Sequence, residues 1–361
     1  MQANLPKVTL VSSVFDHPWL GGLFADAEMA ALWSPEAQLA GMRAFEAAWS
    51  RALGVAGLAE AEVAEAAAAA ISGMEFDLAA LREATARDGV VVPEMVRQMK
   101  LAAGPAKAAV HQGATSQDVI DSALAMAMAA SLDLLAGRLR ELETALLALS
   151  DSQGAHPLMG RTRMQAATMI TAADRIRPWV APLAGHIERL WQLHPRVARV
   201  QIGGASGDRK ALGEAAGIVT REVASALDLS APPGSWHAMR DGVAEFAGLL
   251  SLITGTLGKM GQDIALMAQQ GIEEIALSGG GASSAMPHKQ NPVQAELLVT
   301  LARFNAGSLA QMHQALVHEQ ERSGAAWALE WMVLPQMAQS TGRALSLAQG
   351  LVASIRRIGR D

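Results

Sequence analysis

The sequence predicts an all-α protein: an elongated bundle of long helices with a smaller helical N-terminal domain. Three observations lead there. Val243, Phe246, Leu250, Ile253, Leu257, Met260, Ile264 and Met267 recur in alternating steps of three and four, which is the seam of a helix packed lengthwise against others. Residues 117–152 contain no proline and read as one helix. Helices of about 30 residues reach ~45 Å at 1.5 Å per residue, which suits a bundle and not a compact globule. Finally, Ala, Leu and Met are abundant and Tyr is absent, a composition that favours helix over strand.

The elements follow in order. Ser34-Pro35-Glu36 opens a helix over 36–53, with Ser34 as N-cap and Pro35 at the first helical position. An Ala/Glu helix covers 58–71. Asp77 starts another that runs to Arg87, Asp88-Gly89 breaks the chain, and Pro93 begins the next. These short helices form an N-terminal domain, residues 1–107. The second domain, 108–361, holds long runs at 117–152, 165–193, 240–270, 292–322 and 325–356. Pro178 and Pro182 are expected to kink the second of these. No alternating stretch supports a strand.

Composition narrows the function. The chain has 361 residues, 51% hydrophobic and 18% charged, enough for a large core and unlike a disordered protein. Net charge is −6 with no basic run, so general nucleic-acid binding is not expected. An anionic ligand would need a local cluster of cations. There is no cysteine, which excludes disulfides and thiolate metal sites and is compatible with the cytoplasm. Met1–Pro18 lacks the pattern of a signal peptide. The alanine tract Ala66–Ala70 is too short to span a membrane.

The chemistry gathers in the breaks between long helices. Ser278 to Pro292 carries Gly279, Gly280 and Gly281, then Ser283 and Ser284, then Lys289 and Asn291, with Pro287 and Pro292 stiffening its far half. A serine can move a proton if its alkoxide is stabilised, and an ammonium with loop N–H groups could do that; the plain alternative is a Ser/Gly linker. His111 to Asp118 places Thr115 and Ser116 before a long helix, a ready carboxylate site or simply an N-cap. His156 to Gln165 offers Arg161, Thr162, Arg163 and Gln165, suited to bidentate carboxylate binding or to a solvated helix start. His318 to Ser323, with Arg322, reads as a solvated helix end. No histidine pair has zinc-protease spacing. Neither Gly203–Gly207 nor Gly279–Gly281 follows a strand as a nucleotide-binding loop would.

Together these residues resemble a known family. Ser283-Ser-Ala-Met-Pro-His-Lys-Gln-Asn-Pro292 resembles the signature loop of the fumarase/aspartase superfamily, and Gly113–Asp118 and Gly160–Gln165 match in order. Ser13–Leu20 and Glu319–Arg322 are similar to its cycloisomerase branch, and the likeness covers essentially the whole chain. The resemblance implies a homotetramer that pools its long helices, with each active site built from loops of three subunits. It implies no cofactor or metal, a small tricarboxylate as substrate, and an intramolecular lyase that lactonises it. Many members carry a C-terminal helical domain; here it is expected to be absent or vestigial, the last run ending near residue 356. By position, Ser283 is the proton-transferring serine and Ser284 supports the loop. Lys289, Asn291, Thr115 and Ser116 hold carboxylates; His111, Thr162 and Gln165 line the site, and Arg322 is a further carry-over.

One departure matters. Amine-eliminating members have His where Arg163 stands, and other cycloisomerases have His where Ala166 stands. A lactonising enzyme can do without that acid, because its nucleophile or leaving group is the substrate's own carboxylate, already ionised near neutral pH. Arg163 then adds a cation, alongside Arg161, Lys289 and Arg322. The competing expectations are an adenylosuccinate- or argininosuccinate-type lyase and a non-catalytic helical scaffold.

Overall fold

A computed structural model describes residues 13–282, 286 and 290–360. The short helices come first: α1 (Gly21–Phe24), α2 (Ala27–Leu32), α3 (Pro35–Val55), α4 (Ala61–Gly73), α5 (Leu78–Asp88) and α6 (Val92–Ala103). Then follow α7 (Ser116–Gln153), β1 (Pro157–Thr162), β2 (Gln165–Thr171), α8 (Ala172–Val197), α9 (Ala216–Ala226) and α10 (Asp241–Met267). The chain continues through β3 (Ile275–Leu277), β4 (Gly281–Ala282), β5 (Gln290–Asn291), α11 (Val293–Gln314), α12 (Gly324–Ser354) and β6 (Ile355–Ile358).

Local chemistry sets the short helices. Ser34 accepts from the Ala37 N–H and Pro35 occupies the first turn of α3. Asp77 caps α5 through the Ala79 and Ala80 N–H groups, and Gly89 ends that helix in the left-handed region. The interior has two cores. One runs along α7, α8, α10, α11 and α12. The other joins α3, α4 and α6 to the start of α7 and to residues of the 200–229 segment.

All eight seam residues of α10 are at most 2% exposed, and each such side chain contributes about 1.5–3 kcal/mol relative to exposure. Glycines let α10 and α11 approach closely. A Cβ on Gly258 would stand 2.5 Å from the Ala302 Cβ, and one on Gly261 would stand 2.6 Å from the Ala295 carbonyl oxygen. α7 is long and apolar enough to cross a bilayer by length and composition, but here it packs against α8, α12 and α3.

The expectation of no strands is corrected. Three two-stranded antiparallel pairs occur among the described residues: β1–β2, β3–β6 and β4–β5. The run expected as helix from about 165 is a hairpin up to Thr171, and α8 starts only at Ala172, where Thr171 and Asp174 form a capping box. Thr162 pairs with Gln165, so Arg163 and Met164 are a two-residue turn, with φ of 49° and 67°. Positive φ at both central positions is the type I′ geometry that matches the twist of a hairpin. α8 itself runs on through Pro178, Pro182 and Pro195.

The five long helices alternate in direction between two ends of the bundle. α7 leaves the proximal end at Ser116 and reaches the distal end at Gln153. α8 returns, α10 goes out, α11 returns and α12 goes out. Contacts at the helix ends fix this order, as described next.

Candidate active site

At the proximal end, the first turn of α7 is built on buried carboxylates. Asp118, fully buried, accepts from the Thr115 N–H at 3.0 Å, from the Gly203 and Gly204 N–H groups at 2.8 and 3.0 Å, and pairs with His237 Nε2 at 2.8 Å. It ties the loops 111–118, 201–208 and 232–237 together. A Cβ on Gly203 would fall 2.5 Å from Ser235 Oγ and 2.6 Å from the His237 ring, so that glycine is needed for the loops to meet.

One turn later Asp121 anchors a larger network. Arg240 donates to Asp121 at 2.6 Å and to Glu330 at 2.5 and 2.9 Å; Trp327 Nε1 also donates to Asp121. Burial works against the Arg240 charge, but Asp121 and Glu330 outweigh it and raise its pKa. Burial likewise opposes ionisation of Glu330, yet hydrogen bonds from Arg240 and the nearby His318 ring, 3.7 Å away, hold its pKa below the usual carboxylate value, the Arg240 bonds being the close contacts. The Gln117 amide nitrogen donates to Asp121 and to the His237 carbonyl. Its oxygen must therefore face the other way, where it accepts from Arg322 Nε at 2.9 Å. Arg322 also donates to the Ala205 carbonyl.

The 318–323 segment was expected to be a solvated helix end. Residues 319–322 are exposed as expected, but the His318 side chain is fully buried, with Nε2 3.7 Å from Glu330 Oε1, because the segment folds back onto the start of α7. His111 Nδ1 lies 2.5 Å from Glu46 Oε1. Thr115 is the N-cap of α7 and Ser116 its first residue; both are half-buried.

At the distal end, the β1–β2 hairpin meets the segment after α10 and the chain after α12. Arg161 Nη1 donates to the buried Glu274 at 2.5 Å. Ile275 pairs with Ile358, the Ser278 N–H donates to the Ser354 carbonyl, and the Arg360 N–H to the Pro157 carbonyl. Thr162, Arg163 and Gln165 sit at the exposed tip of the hairpin. Gly281 pairs with Asn291 and Ala282 with Gln290, closing the base of the loop between them. A Cβ on Gly280 would stand 2.9 Å from the Gln290 Cβ. Asn291 is half-buried on β5. Ser283, Ser284 and Lys289 lie outside the described residues.

The sequence-predicted residues thus fall into two groups. His111, Thr115, Ser116 and Arg322 share the proximal end; Arg161, Thr162, Arg163, Gln165 and Asn291 share the distal end. The 38 residues of α7 separate the groups, which is ~57 Å at 1.5 Å per residue. Within one chain they do not converge. Sequence reasoning missed Glu46, Asp121, His237, Arg240, Glu274 and Glu330. A faint signal existed for Asp121: with Asp118 it puts two carboxylates one turn apart on a helix otherwise rich in Ala, Met and Leu.

Comparison with known proteins follows the same lines. A family model described as Lyase matches residues 26–305. The 3-carboxy-cis,cis-muconate cycloisomerase of Pseudomonas aeruginosa is 37% identical over 349 residues, covering 94% of this chain and 76% of its own length. The crystal structure of 3-carboxy-cis,cis-muconate lactonizing enzyme from Pseudomonas putida superposes with a TM-score of 0.89 at 34% identity, covering 94% of this chain and 77% of that one. A fumarate lyase from Mesorhizobium sp. BNC1 superposes with a TM-score of 0.86 at 31% identity, covering 93% and 76%.

Proposed function

The chain belongs to the fumarase/aspartase superfamily of lyases, and on that premise we propose that it closes 3-carboxy-cis,cis-muconate into 4-carboxymuconolactone. This is the lactonising step of the protocatechuate branch of the β-ketoadipate pathway, and the enzyme is an intramolecular lyase. The observation that carries the reading is 37% identity over 94% of the chain to a cycloisomerase, joined by Arg163 standing where amine-eliminating members have histidine. An eliminating lyase needs an acid for its leaving group; a lactonising one does not.

A substrate carboxylate oxygen adds to a conjugated C=C. The π electrons move onto a neighbouring carboxylate as an aci-anion, which Lys289, Asn291 and loop N–H groups stabilise. Ser283 delivers a proton to carbon and regains one from solvent. The substrate's own carboxylates supply nucleophile and electron sink, so the scheme asks for no cofactor. Arg163, Lys289 and Arg322 offset the substrate's negative charges. Arg161, already paired with Glu274, contributes less charge and holds the hairpin in place. Thr115, Ser116 and His111 contact carboxylates from the proximal side, Thr162 and Gln165 line the distal side, and Ser284 supports the loop.

Two half-sites ~57 Å apart in one chain support assembly as a homotetramer, with residues 108–361 as the oligomer core and residues 1–107 as the outer helical unit. The enzyme is assigned to the cytoplasm, consistent with its lack of cysteine. The test is loss of ultraviolet absorbance from 3-carboxy-cis,cis-muconate as its diene is consumed. Ser283→Ala should lower turnover by orders of magnitude with an unchanged melting profile; near-normal turnover overturns the assignment. The likeness to a fumarate lyase favours a second reading, a fumarate-releasing lyase. Fumarate formed from adenylosuccinate or argininosuccinate, with carboxymuconate untouched, would establish it.

A further inference from the structure

One face of α3 grips the turn that carries His111. Ser50 Oγ donates to the Ala109 carbonyl at 3.0 Å, and Trp49 Nε1 donates to the Gln112 carbonyl at 3.0 Å. Between those anchors, Glu46 Oε1 meets the His111 ring. Glu46, Trp49 and Ser50 stand three and four positions apart, on one side of the helix, and all three are fully buried. His111 itself has a φ of 57°, a left-handed backbone that strains a non-glycine residue and concentrates at functional sites. The fold thus holds this imidazole from both flanks and from its own ring.

The Glu46 carboxylate is unusual in its own right. Its second oxygen is buried without a hydrogen-bond partner among the described residues. A carboxylate stripped of water in this way is costly unless a cation faces it. The ring beside it is the group that can supply that charge. Three charged groups act on His111: Glu46 from α3, Asp118 from α7 and Lys100 from α6. Burial draws the imidazole toward neutrality and Lys100 adds to that pull, but Glu46 and Asp118 outweigh both and raise its pKa. With Nδ1 on Glu46, Nε2 has no partner among the described residues and is not a buried orphan.

We propose that Glu46 is a positioning residue for the reaction, holding the His111 ring as a double donor, with Nδ1–H given to its own carboxylate and Nε2–H offered to a substrate carboxylate beside Thr115 and Ser116. The inference rests on the lactonising reading above. A neutral ring in the wrong tautomer would turn a lone pair toward that anion, whereas a ring held by Glu46 turns a charged donor toward it.

The test compares wild type, Glu46→Gln, His111→Gln and the double variant. Two readouts are used: kcat/KM for 3-carboxy-cis,cis-muconate against pH, and the titration of ring-15N-labelled histidines, with His111→Gln identifying the relevant signal. In Glu46→Gln the alkaline limb of kcat/KM should move to lower pH. At pH 8 kcat/KM should fall roughly 10- to 100-fold, the scale of one charge-assisted hydrogen bond, with KM affected more than kcat. In the His111→Gln background the Glu46 change should add nothing. An alkaline limb and a His111 titration that both stay at their wild-type positions in Glu46→Gln overturn the proposal. If wild type does not turn over carboxymuconate, the functional reading fails alone, and the 15N titration still decides the pairing. If Glu46→Gln does not fold, the wild-type titration decides: a His111 signal titrating at or below the ordinary histidine value overturns the proposal.

Discussion

Replacing Gly261 by alanine should cost catalysis more than stability. The new Cβ would lie 2.6 Å from the Ala295 carbonyl oxygen and 2.8 Å from the Leu298 Cβ, where ordinary contact begins at 3.4 Å. Neither neighbour is the loose end of a long side chain, so α11 must retreat by about 0.8 Å, the difference 3.4 − 2.6. Overpacking of this kind costs about 1–3 kcal/mol, and Gly→Ala in a helix interior returns about 1 kcal/mol. The net loss is then only ~0–2 kcal/mol, and the protein should fold. Ala295, however, lies in the first turn of α11, four residues after Asn291 and downstream in sequence of the proposed catalytic Ser283 and Lys289. Misplacing a catalytic group by about 1 Å can cost on the order of 100-fold in rate. The assay is decay of the carboxymuconate absorbance, for kcat, beside a thermal melt. Gly217→Ala is the control, since its Cβ would meet nothing closer than Arg221 Nη1 at 3.5 Å. A Gly261→Ala enzyme with kcat within twofold of wild type would refute the idea that the seat of α11 sets the loop.

Three further outcomes follow from the same geometry. Ser283→Ala and Thr115→Val, each expected to be inactive alone, should regain part of the wild-type rate when unfolded together and refolded as a mixture, if each active site takes these two residues from different subunits as proposed above; no recovery would argue against shared sites. Arg240→Met leaves Asp121 and Glu330 buried without their cation and should cost about 3–5 kcal/mol in urea denaturation; a loss below about 1 kcal/mol would mean that the network is not ionised as described. His186 is buried between α8 and α10, with Nε2 2.8 Å from Thr256 Oγ1. Burial, helped by Arg189, pushes its pKa from 6.5 down to about 4. The unfolded chain therefore takes up this proton at a higher pH than the folded one, and stability should decline as pH falls from about 6.5 toward about 4. His186→Asn should flatten that slope, as read from urea midpoints across the range.

Different forces made different parts of the molecule legible. The α10 seam could be read because burial repeats along one helix with a fixed period, and every member from Val243 to Met267 proved buried. The capping serine and aspartate at 34 and 77 could be read because the interaction spans three residues or fewer. The hairpin could not. Its turn residues, Arg163 and Met164, carry none of the Asn-Gly chemistry that usually marks positive φ. The charged networks were invisible for another reason: Glu46 meets a partner 65 positions away, and Arg240 meets partners 119 and 90 positions away. Nothing local distinguishes such a buried acid from a surface one. The site motifs stood out because each is contiguous; which of them share an end of the bundle became apparent only from the folded chain.

The unbroken run of α7 between the proximal and distal groups of residues has an evolutionary corollary. One residue inserted in its middle would turn everything beyond by ~100° and advance it by ~1.5 Å, so the distal group of residues would face a different direction relative to the proximal group. Insertions and deletions should therefore be excluded from the long helices and collect in turns such as 55–60, where length can drift without changing the register between the ends.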